Sequence, residues 1–104
     1  MVTPRQGEIW WAEAEEKRRP VLVVTRNEAI PVLEWITVAP VTRTVRRIPT
    51  EVPLGRSHGL RTECAAAFDN LQPIRRSFLT ERVGQLGIED VGAICRALAA
   101  LADC

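Results

Sequence analysis

The sequence predicts a mainly β fold, a small barrel-like sheet with one C-terminal helix packed on it. Three observations carry this. Short β-branched and aromatic runs follow one another from Gly7 to Leu86, separated by polar stretches and Gly- or Pro-containing turns. The period then changes: Ile88, Val91, Ile94/Cys95, Leu98 and Leu101/Ala102 recur every three or four residues, the stripe of an amphipathic helix. Finally, 104 residues without repeats or a linker leave room for one domain, residues 1–104, whose modest core a dimer interface commonly supplements.

Gly7 to Ala12 reads as a first strand, and Glu13 to Arg19, charged apart from Ala14, as an exposed loop. Pro20 to Thr25 is a buried-strand pattern with proline at the first position, where a missing donor is tolerated. Asn27 to Pro31 makes a turn, and Val32 to Val41 the next strand, with Pro40 marking an edge, a bulge or the strand end. Thr42 to Arg47 reads as a basic loop, Thr50 to Leu54 as an extended piece and Gly55–Gly59 as a turn. Cys64 to Leu71 reads as another strand, Ser77 to Glu81 as one helical turn and Val83 to Leu86 as a last small strand. Glu89 and Asp90 fall in the first turn of the helix, where its dipole favours anions.

Composition narrows the function classes. A hydrophobic share of 46% with 26% charged residues is that of an ordered globular chain. No apolar run approaches the ~18–20 residues that span a bilayer, and the first residues lack the apolar stretch of a secretory leader, so no membrane association and a cytoplasmic address are expected. Cys64, Cys95 and Cys104 form no Cys-x-x-Cys pair and His58 is the only histidine, which argues against a zinc site and a disulfide framework. Cys95, inside the apolar stripe, reads as a packing residue. Thirteen of the fourteen cations are arginine, Lys17 being the exception, and between Arg43 and Arg82 eight arginines face four acids. Arginine's planar fork suits phosphate, so the bias leans toward a polyanionic partner, although arginine-rich codon usage produces the same count.

A series of segments, taken in order, resembles the MazF/PemK toxins. Gly7-Glu8-Ile9-Trp10 is similar to the family's opening strand, and Arg18-Arg19-Pro20-Val21-Leu22-Val23-Val24 to its Arg-Pro-Val-Leu-Val-Val signature. Val38-Ala39-Pro40-Val41-Thr42 resembles the segment that ends in a family threonine, and Pro49-Thr50-Glu51-Val52 resembles Pro-Thr-His/Glu-Val. Gly59-Leu60, Asp69-Asn70-Leu71 and Leu79 through Leu86 follow at the expected places. The resemblance implies a Src-homology-3-like barrel that dimerises with itself and acts as the toxin of a type II toxin–antitoxin pair, regulated by a cognate antitoxin. It implies cleavage of single-stranded RNA (messenger, transfer or ribosomal) with no metal and no cofactor. The 2′-hydroxyl would attack the adjacent phosphate, leaving a 2′,3′-cyclic phosphate and a 5′-hydroxyl, with inhibition of translation and growth as the outcome. Carried over singly, the family's catalytic arginine falls on Arg19 and its catalytic threonine on Thr42. Lys17, Arg18, Arg43 and Arg47, with Arg46 beside them, become candidate backbone contacts, and Asp69 and Asn70 a pair beside the RNA groove. Two departures bear on target preference: the first loop is short and lacks the family's Gly-Ser-Glu-Gln stretch, and Gln72 stands where many members have arginine.

The chemistry suits those residue types. A guanidinium held by the following proline and strand is a rigid donor fork for charge building on a phosphorane, and a threonine hydroxyl can donate to the same oxygens. Arginine, with a pKa above ~12, is an acid and not a base. His58 is the orthodox general base but matches no family catalytic position. The plainer alternatives are an Arg19 paired with Glu15 or Glu16, and tryptophans Trp10, Trp11 and Trp35 that are buried rather than stacked on bases. Two other functions are compatible with such a barrel. One is a non-enzymatic gyrase poison, whose Trp-Gly-Ile terminus is not matched by Ala102-Asp103-Cys104; the other is a noncatalytic RNA-binding barrel.

Overall fold

The computed structural model describes residues 3–14 and 17–102. Strands β1 (Glu8–Ala14), β2 (Lys17–Val23), β3 (Trp35–Thr42), β4 (Glu51–Leu54), β5 (Cys64–Ala67), β6 (Gln72–Arg75) and β7 (Leu79–Gln85) precede helix α1 (Val91–Leu101). All pairings are antiparallel and run in the order β4-β5-β3-β2-β1-β7, with β6 lying against β3 beside that path. Among the described residues no pairing joins β4 to β7, so the barrel-like sheet is open between these strands.

Both faces of the central strands are covered, which is why Val21-Leu22-Val23 reads as an unbroken apolar run. Ile9, Leu22 and Ala39 turn to one cluster with Val52, Leu54, Cys64, Phe68 and the helix residues Ile94 and Ala97. The alternate positions Trp10, Ala12, Val21, Val23, Ile36 and Val38 turn to a second, closed by Ile30, Ile74 and Leu79. The period-2 alternation of the strands thus feeds two cores instead of a core and a solvent face.

Several elements differ from the sequence expectation, each for a physical reason. The charged stretch Glu13–Arg19 is not a loop in its described part. β1 runs on to Ala14 and β2 begins at Lys17, with Glu13 opposite Arg18 and Ala14 opposite Lys17. Backbone pairing needs no apolar side chain, and Arg18 bonds Glu13 directly. β3 begins at Trp35, because Ile30–Val32 first makes a 3-10 turn with Pro31 inside it. Cys64 to Leu71 is strand only to Ala67; a 3-10 turn over Phe68–Asn70 interrupts it, and the chain then continues in the same direction along β3 as β6. The helical turn before β7 covers Arg76–Phe78, and β7 itself starts at Leu79. Ile88 lies in a 3-10 turn ahead of α1 and is 94% exposed, so it does not belong to the buried stripe. Cys95 is exposed, and Ala97 takes the buried position instead.

Two local arrangements hold the frame around the future site. Glu8, 7% exposed, has its carboxylate bonded by the Arg5 backbone N–H (2.8 Å), the Trp10 indole N–H (3.1 Å) and the Arg82 guanidinium (3.1 Å), which ties β1 to β7. A buried charge is tolerated when its lone pairs are filled in this way. The second is a backbone crossing. Gly59 (φ +88°) packs on the Val83 carbonyl, and a Cβ there would lie 2.3 Å from it; a Cβ on Gly84 would lie 1.9 Å from the His58 carbonyl. Only two residues without side chains let the turn at 55–59 rest directly on β7.

Replacing Glu8 with alanine leaves the Trp10 N–H and a guanidinium without their acceptor. A stability loss of about 2–3 kcal/mol is expected in urea titration, since hydrogen bonds to charged groups have about that worth. Gly84→Ala should lose about 1–3 kcal/mol through overpacking and shift the amide resonances of residues 55–62. Gly87→Ala, whose Cβ meets open space, should stay within about 1 kcal/mol of the parent.

Candidate active site

The β2–β3 ladder pairs Val23 with Val38, Leu22 with Ala39 and Val21 with Pro40, and there it stops. From Val41 onward β3 pairs with β5 (Val41 with Ala66, Thr42 with Ala65). The first half of β2, Lys17 to Pro20, stays with β1. The two strands therefore part, and an open cleft of about 690 Å³ fills the wedge. Arg18, Arg19 and Pro20 with Trp11 form one wall, Val41 and Arg43 the second, and Gly59 to Thr62 the third; Cys64 and Val83 complete the lining.

Arg19 is exposed in this cleft and makes no ion pair or side-chain hydrogen bond among the described residues. Glu15 and Glu16, the acids expected to compete for it, lie outside those residues. Thr42 lies between the lining residues Val41 and Arg43 but does not line the cleft itself. Continuing the β2–β3 register two steps past Val21 and Pro40 would set Arg19 opposite Thr42, so the two occupy corresponding positions on the two parting strands. The Thr42 hydroxyl accepts the Thr44 backbone N–H at 3.1 Å, which engages an oxygen lone pair and leaves its own proton to be donated.

The other expected contacts divide. Arg43 lines the cleft with no ion pair among the described residues. Arg18 lines it too but is already engaged: it stacks 4.5 Å over the Trp11 ring and bonds Glu13 (3.3 Å) and Glu81 (2.9 Å), bracing the β1–β2 hairpin against β7. Lys17, Arg47, Asp69 and Asn70 do not line it. Arg47 adopts a positive φ of 58° and reaches Glu63 at 3.7 Å, and Asp69 accepts the Thr50 hydroxyl at 2.6 Å. Asn70 is exposed in the 3-10 turn ahead of β6. His58 is also outside the lining; its Nδ1 accepts the Gly55 N–H (3.1 Å) and its Nε2 lies 3.5 Å from Asp90. Of the tryptophans, Trp10 is buried as expected, Trp11 forms part of the cleft wall, and Trp35 is 48% exposed beneath Arg75.

Sequence reasoning missed Trp11, Arg61, Thr62 and Cys64 as cleft residues. Trp11 and Cys64 sit in runs that read as core, and Arg61 in a turn that reads as solvated. The local surplus of arginine was the one signal for Arg61. The Cys64 thiol is pushed up from its ordinary value by burial, against the opposing pull of Arg43, so it stays protonated and is no nucleophile. What the lining offers is guanidinium: Arg18, Arg19, Arg43 and Arg61 converge with no carboxylate among the described lining residues. Such a set of donors fits a phosphate-bearing ligand.

Comparisons with known proteins agree with this architecture. Residues 5–102 match the family model described as PemK-like, MazF-like toxin of type II toxin-antitoxin system. The chain is 40% identical over 103 residues to a probable endoribonuclease MazF5 of Mycobacterium tuberculosis, covering 97% of this chain and 94% of that one. The solved Mycobacterium tuberculosis toxin MazF-mt6 superposes with a TM-score of 0.85 at 36% identity, over 92% of this chain and 96% of that chain. A mycobacterial endoribonuclease solved in complex with its cognate antitoxin superposes with a TM-score of 0.81 at 26% identity, over 94% and 93%. On this evidence the chain belongs to the family of PemK-like, MazF-like toxins of type II toxin–antitoxin systems.

Proposed function

We propose that this toxin is an endoribonuclease whose substrate lies in the cleft between β2 and β3, with Arg19 and Thr42 acting on the scissile phosphate. The observation that carries the reading is the exposed Arg19 guanidinium, without an ion pair among the described residues, in an arginine-lined wedge facing the strand end that bears Thr42. The naming of relatives as endoribonucleases supports it.

In the reaction, the 2′-oxygen of one ribose forms a bond to the adjacent phosphorus as the bond from phosphorus to the 5′-oxygen of the next nucleotide breaks. The 2′-hydroxyl gives up a proton and the departing 5′-oxygen gains one, leaving a 2′,3′-cyclic phosphate and a 5′-hydroxyl. Negative charge builds on the non-bridging oxygens meanwhile, and Arg19 and the Thr42 proton face that charge as fixed donors. Arg43 holds the backbone beside them. Single-stranded RNA is the substrate class because its phosphate and 2′-hydroxyl can be brought into line without opening a duplex. A second copy of the chain and a cognate antitoxin are its partners in this reading, which the mycobacterial endoribonuclease solved in complex with its cognate antitoxin supports, and an acidic antitoxin segment would compete for the same guanidiniums.

Purified protein incubated with end-labelled RNA in the presence of a chelator should cut it and leave cyclic-phosphate ends. Loss of one preorganised donor commonly lowers kcat by ~10²–10³, so Arg19→Ala and Thr42→Val should each fall by that order while still binding RNA. Retention of full kcat by Arg19→Ala would sink the assignment. Binding of RNA by the parent with no cleavage would make the protein a noncatalytic RNA-binding barrel.

A further inference from the structure

The third wall of the cleft carries a guanidinium that the reaction at Arg19 and Thr42 leaves unused. Resting on the ribonuclease reading above, we propose that Arg61 is a substrate-binding residue that holds a phosphate next to the scissile one, so that the Gly59–Thr62 turn sets the register of the RNA strand.

Arg61 lines the same cleft as Arg19 and Arg43, on a different wall. It is exposed, and its guanidinium makes no ion pair or hydrogen bond among the described residues. Other arginines are otherwise employed: Arg18 and Arg82 bond carboxylates, Arg76 donates to the Ile30 carbonyl, and Arg56 donates through Nε to the Arg61 carbonyl at 3.3 Å. That last bond fixes the backbone under Arg61. The turn is further closed by His58 N–H to the Gly55 carbonyl (3.0 Å), Gly59 N–H to the Arg56 carbonyl (3.1 Å) and Leu60 N–H to the Gly55 carbonyl (3.3 Å). The Gly59–Gly84 crossing seats the whole turn on β7.

An unpaired cation on a braced backbone is a preorganised anion contact, because less ordering is needed when the ligand arrives. A cleft of about 690 Å³ has room beyond one phosphate group. Arg19 and Arg61 on separate walls therefore address separate phosphates of one strand. Arg61 then binds ground state and transition state alike, and its loss appears in KM and not in kcat.

The test compares the parent with Arg61→Ala, Arg61→Gln and Arg61→Lys in two assays, RNA cleavage and binding of a labelled, uncleavable 2′-O-methyl oligonucleotide pool of mixed sequence across a salt series. Arg61→Ala and Arg61→Gln should raise KM roughly five- to tenfold with kcat within about twofold. The slope of log affinity against log salt should become shallower by about 0.7, the share of one phosphate on a single strand. Arg61→Lys should keep the parent slope. An unchanged KM and slope in both neutral variants would overturn the proposal, as would a loss confined to kcat. If the parent binds the oligonucleotide but cuts no RNA, the ribonuclease reading falls, and the salt slope still decides whether Arg61 holds a phosphate.

Discussion

The end of the β2 ladder on β3 is the constraint from which the site follows. As far as Pro40 one edge of β3 is held by β2; from Val41 its described pairing is on the opposite edge, with β5. On that opposite edge the β6 ladder ends at Val38 and the β5 ladder begins at Val41, so Pro40, which has no N–H to offer, lies in a break between the two. A strand that goes on without its neighbour opens a gap beside the one it leaves. The gap is polar because the residues released there are Arg18 and Arg19, and its base is apolar because Val41 and Val83, packed on the core, line it together with Pro20.

Charge is sorted by the same geometry. Arginines that brace the frame find carboxylates or carbonyls: Arg82 with Glu8, Arg75 with Glu34, Arg18 with Glu13 and Glu81, and Arg56 with its own turn. The other arginines of the cleft walls, Arg19, Arg43 and Arg61, have no such partner among the described residues. A net charge of +1 hides this arrangement. The positive potential is local, and a concave wall of low polarisability concentrates it toward the opening.

Much of this was legible in the sequence. The mainly β order and the terminal helix followed from periodicity, whereas Arg19 and Thr42 are candidates through the resemblance of their segments to one family. Boundaries were harder where polarity misled: Glu13 to Arg19 looks like a loop because each described pair there carries a charged side chain, yet its backbone pairs across most of its length. β6 was invisible because Gln72-Pro73-Ile74-Arg75 has a single buried residue. The clearest gap concerns the third wall. Nothing local to Arg61 marks it; its place depends on a long-range meeting of Gly59 with Gly84, and glycine carries no pattern that announces its partner. Arg18 shows the reverse case, a residue rightly placed beside the cleft whose guanidinium is held by its neighbours.

That glycine meeting also has an evolutionary corollary. The turn is anchored through main-chain atoms and by Leu60, which packs on the core, so its foundation is indifferent to which side chains stand at positions 61 and 62. Those two positions form an interchangeable tip on a fixed mount, open to substitution while folding is left alone.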